Sequence, residues 1–475
     1  MPFQVRGAEN RGMPIRALVL FLATAGALTG AEWPGFLGPT GDNRSPETNL
    51  VRSFPGSGPT VVFDLAVGTG YAAPSVAGGK LFLFHRIGAT EVLQSMDPVT
   101  GKVLWTNGYP TAFQDPYGYN NGPRCAPLIS KGTVFTYGAE GKLSAFDTAT
   151  GRLRWQRDTA KDFEVPEAFF GVGSSPILEG GRLIVMVGGQ PDSGVVAFDP
   201  GTGATVWASV GEKNWQGQPM LGWPGEAPIQ WKRWEKQASY ASPVASTLNG
   251  RRVVLCLMRQ GLVGIDPTQG QVLFQRWFRA RVEESVNASN PVVLGSDILV
   301  SSAYYRTGSL LLRPGGNPMA LQEVWRGLGL EMHWSTPVLV DGHLYGFSGR
   351  NEPDSVFRCL DPATGKVAWE RDERWGKSGS KQPAVFGRGS LIWADGTLYA
   401  LGEGGLLGIF QPDTRKCQEL ARWQVPSLHY PCWAGPVLSD GRLYLRSEDR
   451  LVALDLSRKR ALDSQPATPD PRGTP

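Results

Sequence analysis

Cysteine and histidine are scarce in this chain of 475 residues, which has five and four of them, respectively. No Cys-x-x-Cys pair occurs, which excludes a haem-attachment motif and a zinc ribbon. Because five is odd, at least one thiol must stay unpaired. Cys256 and Cys359 fall in apolar strand patterns and are predicted to be buried thiols, whereas a Cys417–Cys432 bridge is left open.

The N-terminal region lacks an apolar run long enough to cross a membrane. Its run Ala17–Leu28 is preceded by Arg6, Arg11 and Arg16 and followed by small residues up to Ala31. This pattern is typical of a secretory signal. We predict that residues 1–31 are a cleaved signal peptide and, since no Cys follows it, that the mature protein is not a lipoprotein. The mature chain is expected to be periplasmic or secreted, without a membrane span.

Charge of one sign is also lacking, since 47 Lys and Arg residues face 43 Asp and Glu residues, for a net charge of +4. No cluster of basic residues precedes a helical pattern, so nucleic-acid binding is not expected. The chain also has no amphipathic helical window. Its 61 glycines and 41% hydrophobic residues instead suit short strands joined by many turns.

What the chain does have is a repeated pattern of nine residues. Near-copies of Asp-Pro-x-Thr-Gly-x-x-x-Trp run over 97–105, 147–155, 199–207 and 361–369, and Phe replaces Trp in 266–274. Asp can hydrogen-bond to backbone groups ahead of it, and Gly supplies the positive φ that such a hairpin loop needs. The pattern therefore predicts a β-hairpin with the aromatic residue packing on the outgoing strand.

Two independent markers give eight repeats. The Asp positions 97, 147, 199, 266, 361 and 455 are 50, 52, 67, 95 and 94 residues apart, and each double gap contains one degenerate copy, 312–316 before Trp325 and 410–413 before Trp423. A small residue followed by Pro and an apolar run forms the second series. Its prolines are Pro74, Pro127, Pro176, Pro243, Pro291, Pro337 and Pro436, with Pro383 as a weaker member.

Each repeat predicts four short strands, which in the second copy are Ala126–Ile129, Thr133–Gly138, Lys142–Asp147 and Leu153–Arg157. Even spacing of such strands predicts an all-β fold, an eight-bladed β-propeller of four-stranded antiparallel blades. The last repeat lacks an outer strand, and Thr60–Leu65 is expected to fill that place and close the ring. We expect an extended surface segment at 32–59, the propeller at 60–456 and a disordered tail at 457–475.

The repeated unit resembles the pyrroloquinoline-quinone (PQQ)-type β-propeller over about residues 60–456. That superfamily includes quinoprotein alcohol dehydrogenases and the propeller subunit of the outer-membrane protein assembly machinery. The stretch Trp33–Pro39 resembles a subgroup of secreted PQQ-like repeat proteins. The resemblance implies that six tryptophans dock between neighbouring blades: Trp105, Trp155, Trp207, Trp325, Trp369 and Trp423.

In such propellers, the loops that lead into the first strand of each blade face a central funnel. Aromatic and amide residues in these loops are candidates for binding a flat or polar ligand. They are Tyr119, Asn120, Arg124, Phe170, Tyr240, Asn290, His333, Trp334, Tyr430 and Trp433. The alternative is that these side chains fill the channel and bond to one another.

A quinoprotein dehydrogenase would need calcium, an Asp base, a Trp under the quinone and usually a disulfide between adjacent cysteines. No adjacent Cys pair is present. The segment with Glu283, Glu284, Asn287 and Asn290 is rich in oxygen ligands but does not by itself make a calcium cage. Trp334 or Trp433 could lie under a quinone. His333 and His429 are an alternative two-His metal site, less expected than locally bonded histidines.

Two classes of function follow. The first is an exported, monomeric, non-catalytic propeller that binds a protein or glycan partner. The second is a PQQ- and calcium-dependent oxidoreductase with an unusual site, and a sugar-active enzyme is a weaker third alternative. The Trp-rich insertion 212–236 is either a partner-binding flap or lid, or a self-packed cover over one blade.

Overall fold

The computed structural model describes Met1 and residues 31–167, 169–189, 192–215, 237–280, 282, 285–351, 354–374 and 385–458. The apolar run of the predicted signal peptide, most of the Trp-rich insertion, Pro383 and nearly all of the predicted tail lie outside these ranges. No helix within them is long and apolar enough to span a lipid bilayer.

The described chain forms 32 strands with few helical turns between them. In chain order the strands are β1 Thr60–Ala66, β2 Ser75–Ala77, β3 Lys80–Ile87, β4 Thr90–Met96, β5 Val103–Pro110, β6 Leu128–Ser130, β7 Thr133–Tyr137, β8 Lys142–Asp147, β9 Leu153–Asp158, β10 Ile177–Glu179, β11 Arg182–Met186, β12 Val195–Phe198, β13 Thr205–Ser209, β14 Val244–Leu248, β15 Arg251–Leu257, β16 Gly261–Ile265, β17 Val272–Trp277, β18 Val292–Leu294, β19 Asp297–Ser302, β20 Gly308–Gly315, β21 Ala320–Gly327, β22 Val338–Val340, β23 His343–Ser348, β24 Val356–Asp361, β25 Lys366–Asp372, β26 Ser390–Ala394, β27 Thr397–Leu401, β28 Leu406–Gln411, β29 Gln418–Gln424, β30 Val437–Ser439, β31 Arg442–Arg446 and β32 Arg450–Asp455. The helical turns are α1 Thr159–Asp162 and the 3-10 turns Glu212–Trp215 and Tyr304–Arg306.

These strands form eight four-stranded antiparallel sheets, which confirms the predicted eight-bladed propeller. Blades 1 to 7 each take four consecutive strands, from β2–β5 to β26–β29. Blade 8 has the order β1-β32-β31-β30, in which Thr60 pairs with Asp455 and Ala66 with Arg450. The strand that follows the N-terminal segment therefore closes the ring, as the sequence predicts.

The two faces of the ring are made by different loops. One face, here called the turn face, carries the turns between strands 1 and 2 and between strands 3 and 4 of each blade. The other, called the funnel face, carries the loops that lead into strand 1 and the loops between strands 2 and 3. This division follows from the up-and-down order of four antiparallel strands.

The repeated Asp shapes the turn between strands 3 and 4. The Asp97 carboxylate accepts hydrogen bonds from the backbone N–H groups of Val99 and Thr100, at 3.0 and 2.7 Å, and from the Thr100 hydroxyl. Asp147 and Asp199 repeat this geometry. These acids are thus turn formers, as their spacing predicts.

The six tryptophans lie at contacts between structural units. Nε1 of Trp105, Trp155, Trp207, Trp325 and Trp369 donates to a backbone carbonyl in the turn of the next blade, at 2.7–3.1 Å. Trp423, in blade 7, instead lies against Gly58 of the N-terminal segment.

The Gly of the repeated turn has a second function besides its positive φ. A Cβ on Gly151 would lie 2.5 Å from the Trp105 ring, and one on Gly270 would lie 2.7 Å from the Trp207 ring. The absent side chain therefore makes room for the tryptophan of the preceding blade.

Around the channel, the residues before the prolines of blades 2 to 6 link neighbouring blades. Ser175 Oγ accepts the Ala126 N–H, Ser242 Oγ accepts the Ser175 N–H, and Asn290 Oδ1 accepts the Ser242 N–H, at 2.8–3.1 Å. Thr336 Oγ1 continues the series by accepting the Asn290 N–H. These buried bonds connect blades 2 to 6 at their innermost strands.

The N-terminal segment crosses the turn face and bonds to innermost strands. Trp33, which is 2% exposed, exchanges two 2.8 Å backbone hydrogen bonds with Val76 of blade 1. Ser45 N–H bonds to Trp393 O of blade 7, and Leu50 is fully buried. This segment therefore covers part of the channel on the turn face. A cavity of about 310 Å³ remains between the segment and blades 4 to 6.

All five cysteines are free thiols. Cys256 and Cys359 are buried, as predicted. The bridge left open between Cys417 and Cys432 is not formed, and the Cys432 thiol instead donates to His429 O at 3.2 Å.

Candidate functional site

Aromatic rings from several blades meet on the funnel face. Tyr119 lies 5.9 Å from Trp433 and 5.8 Å from Phe170, measured between ring centroids. Phe170 continues to Tyr240 at 5.5 Å, and Trp433 contacts Tyr430 at 5.8 Å. Five of the ten residues proposed from sequence thus form one connected group of rings from blades 2, 3, 4 and 8.

A buried ion pair supports Trp433 from blade 7. Arg388 Nη2 lies 2.8 Å from Glu403 Oε2, with both side chains almost inaccessible to solvent. The same Glu403 oxygen accepts the Trp433 indole N–H at 3.1 Å. The carboxylate therefore fixes both the guanidinium and the indole ring.

His333 joins this pair from blade 6. Its Nδ1 lies 3.4 Å from Arg388 Nη1, and its ring lies 5.2 Å from Tyr304. Burial, together with the positive charges of Arg388 and Arg350, lowers the pKa of His333 to about 3. The imidazole is therefore neutral at physiological pH and can accept a hydrogen bond from the arginine.

Guanidinium groups lie over several funnel rings. Arg350 is 4.3 Å from the ring centroid of Tyr305 and 4.8 Å from that of Tyr304. Arg388 lies 5.5 Å from the Trp433 ring, and Arg124 lies 5.5 Å from Tyr71. Such cation–π contacts hold the aromatic side chains in place without using their hydroxyl groups.

Asn120 and Arg124 build a polar corner between blades 8, 1 and 2. Arg124 pairs with the buried Asp115 at 2.8 Å. Asn120 Nδ2 donates to Thr69 Oγ1 at 2.5 Å and to Glu448. Beside these groups the structure has a cavity of about 330 Å³.

Two predicted site residues stand apart from the ring group. The Asn290 side-chain oxygen accepts the inter-blade hydrogen bond from the Ser242 N–H at 2.9 Å. Trp334 has a buried Nε1 without a hydrogen-bond partner in the described ranges.

Sequence reasoning missed Glu403, Glu448, Tyr304 and Arg350, which lie between strands 2 and 3 of their blades. The missing signal was the topology itself, because these loops share a face with the loops that lead into strand 1. Tyr71 and Arg388 lie in loops that lead into strand 1 of their blades, but nothing in the sequence distinguishes them from the other polar residues of those loops.

The two-histidine site expected as an alternative is not formed by these contacts. His429 Nε2 lies 2.9 Å from Asp449, whereas His333 faces Arg388. Across the described ranges, no group of three or more His, Cys, Asp or Glu side chains is placed to hold a metal ion.

A calcium-bound quinone would require oxygen ligands and a flat slot beside a tryptophan. The Asn290 oxygen accepts the Ser242 N–H, and Asn287 Nδ2 donates to the carbonyls of Met258 and Phe278. Asn287 Oδ1 is buried and has no hydrogen-bond partner among the described residues. The surroundings of Trp433 are filled by rings such as Tyr71, at 5.1 Å. Among the described residues no group of three or more His, Cys, Asp or Glu side chains surrounds the Asn287 amide oxygen to complete a metal site, and Glu283 and Glu284 lie outside those residues.

Comparison with known proteins places this architecture among familiar folds. BamB from Moraxella catarrhalis superposes with a TM-score of 0.52 at 16% identity, covering 83% of this chain and 96% of that one. The quinohemoprotein alcohol dehydrogenase from Comamonas testosteroni gives a TM-score of 0.59 at 13% identity, covering 92% and 82%. At such identities these similarities show a shared fold alone.

Two sequence matches are more specific. The dehydrogenase subunit of the quinone alcohol dehydrogenase from Komagataeibacter europaeus is 28% identical over 145 residues, covering 27% of this chain and 18% of that protein. The matched region is thus less than a fifth of that relative's length. The family model described as outer membrane protein assembly factor BamB matches residues 88–371, which is more than half of this chain. The chain therefore belongs to that family, which consists of PQQ-type β-propeller repeat proteins.

Proposed function

We propose that this protein is an exported, non-catalytic binding module that holds a protein or glycan partner on its funnel face. The observation that carries the proposal is the set of solvent-accessible tyrosines on that face, which lies over buried charged side chains. Tyr119 is 53% exposed and Tyr305 is 44% exposed. Tyrosine supplies large contact area at low entropic cost, which suits a recognition surface.

The rigid ring adds to this argument. Because the blades are joined by the tryptophan contacts and by the inter-blade bonds of Ser242 and Asn290, the funnel loops start from fixed positions. Loops on a rigid scaffold are common binding elements. Membership in a family described as an outer membrane assembly factor supports a binding role and a periplasmic or secreted location.

Site-specific crosslinking would test the proposal. A photoreactive residue at Tyr305, on the funnel face, is expected to form adducts with a partner in the native cell envelope or medium. The same residue at Val206, which is exposed on the outer strand β13, is the matched control. Equal crosslinking at both positions, or none at Tyr305, would contradict a funnel-face partner.

The oxidoreductase alternative has a direct test of its own. Purified protein would be incubated with micromolar PQQ and calcium, and bound quinone would be followed by absorbance and dye reduction. We expect neither signal. Calcium- and PQQ-dependent dye reduction with an alcohol or a sugar would overturn the non-catalytic proposal.

A further inference from the structure

The polar cavity on the funnel face has a built wall. It lies where blades 8, 1 and 2 meet, and its lining includes Thr69, Asp115, Tyr119, Asn120 and Glu448. At about 330 Å³ it is near the small end of ligand pockets, which span roughly 300–1,000 Å³. This volume suits one or two rings of a ligand better than a folded segment.

Hydrogen bonds hold the lining in position. Asp115 accepts the Tyr117 N–H at 2.9 Å and pairs with Arg124, and Asn120 is fixed by its bonds to Thr69 and Glu448. Asp115 and Asn120 are both buried. The cavity is therefore organised before any ligand arrives.

The charges around the cavity are matched. Asp115 faces the guanidinium of Arg124 at 2.8 Å. Glu448 interacts electrostatically with the buried Arg446 of the same blade. Because each carboxylate has a guanidinium nearby, the site does not favour a strongly charged ligand.

Several polar groups at the cavity remain available. In the part of the chain that the structure describes, no hydrogen bond uses the Gln114 side-chain amide, Asn121 Nδ2 or Glu448 Oε2. Amide donors beside a carboxylate acceptor can bond to hydroxyl groups of a ligand, which both donate and accept.

The Tyr119 ring provides an apolar surface next to these groups. Trp433 and Phe170 pack against it, yet more than half of the side chain stays exposed. A pyranose ring combines an apolar C–H face with hydroxyls around its edge. We propose that this cavity binds a neutral pyranose unit of a glycan, with Tyr119 under the ring and Glu448 accepting from its hydroxyls.

This inference rests on the proposed binding function and names the ligand class for one corner of the funnel face. The probes are maltotriose, cellotriose and N,N′,N″-triacetylchitotriose, followed by saturation-transfer NMR and calorimetry on the full mature chain. Mannitol, an open-chain polyol without a ring face, is the ligand control. At least one trisaccharide is expected to bind, and mannitol is not.

Three variants locate the binding. Tyr119→Ala is expected to weaken it roughly fivefold or more, because the ring contact is lost. Glu448→Gln, which keeps the side-chain shape, should weaken it roughly tenfold through loss of charge-assisted hydrogen bonds. Val206→Ala, at an exposed position of the outer strand β13 away from the funnel face, should bind as the unaltered protein does.

The outcomes separate this inference from the proposed function. If no trisaccharide binds, or if Tyr119→Ala and Glu448→Gln bind unchanged, the glycan site is wrong, while funnel-face crosslinks to a protein would leave the binding function standing. Quinone-dependent turnover would instead remove the non-catalytic function, whatever the sugar results are.

Discussion

The turn face and the funnel face of this propeller are built by different rules. On the turn face, the same Asp turn recurs around the ring, and five tryptophans donate to the next blade in the same way. On the funnel face, the contacts are individual: Arg388 pairs with Glu403, Arg124 with Asp115, and His429 with Asp449.

This difference separates residues that hold the ring from residues that shape its surface. A contact repeated from blade to blade satisfies a requirement that those blades share, namely docking onto a neighbour. A contact that occurs once is not required by the repeat, so it either stabilises its own part of the funnel face or positions side chains for recognition. Substitutions on the two faces should therefore have separable effects on stability and on binding.

The largest loss of stability is expected for Trp207→Ala on the turn face. Trp207 is 9% exposed, packs on Gly270 and donates to Pro267 O at 3.1 Å. Truncation should cost about 3–5 kcal/mol of unfolding free energy, measured by denaturant unfolding. Val206→Ala, on the exposed side of the same strand, should cost little. Trisaccharide binding by the folded fraction should be unchanged, and a loss of binding in proportion to stability would erase the distinction between the faces.

Glu403→Gln should lower the stability of the fold, although Glu403 lies on the funnel face. It leaves the buried Arg388 charge without its carboxylate, at a cost of roughly 2–4 kcal/mol. Because Glu403 also accepts the Trp433 N–H, indole fluorescence should change as well. Unaltered stability would mean that the pair is not formed in solution.

A smaller loss of stability is expected when one of the inter-blade hydrogen bonds around the channel is removed. Ser242→Ala removes the acceptor of the buried Ser175 N–H and should cost about 1–2 kcal/mol. The matched control is Ser289→Ala, whose buried hydroxyl has no partner among the described residues. Equal losses for the two variants would show that burial, and not the inter-blade bond, decides the cost.

The smallest effects on stability at neutral pH come from protonation. The pH range in which stability is lost should differ between the two faces. Burial, reinforced by Arg446, lowers the pKa of His85 to about 3, and its Nδ1 accepts the Gly68 N–H. Between that value and about 6.5 the unfolded chain binds the extra proton, so stability should fall as pH falls through this window. His85→Gln should flatten this part of a pH series of urea unfolding curves.

On the turn face the acid response should begin at lower pH. The Thr100 backbone N–H and hydroxyl lower the pKa of Asp97 by hydrogen bonding to its carboxylate. This contribution is complete above the unfolded value of about 3.9 and is lost only as pH falls below it. Asp97→Asn should therefore alter the curve below about pH 4 and leave the range near pH 6 unaffected. The reverse order of the two responses would contradict this assignment.

The fold was predictable from sequence because its signals are local and repeated. The Asp-to-aromatic spacing predicted the hairpins, and the prolines predicted where innermost strands begin, as at Pro176 before β10 and Pro243 before β14. The closing strand was predicted from a vacancy in the count. The site was predictable only in part. The rings of Tyr119, Phe170 and Tyr240 do meet, whereas the Asn290 side-chain oxygen accepts an inter-blade hydrogen bond from Ser242.

The sequence by itself determined the number of blades, the turn chemistry and the closure of the ring, because each follows from a few adjacent residues repeated along the chain. Only the tertiary structure decided which funnel side chains become partners. Arg388 reaches Glu403 and His333, and Asn120 reaches Glu448, 328 positions away. Such pairs depend on how the ring brings distant blades together and on which buried charge can be neutralised there, and no local pattern records that choice.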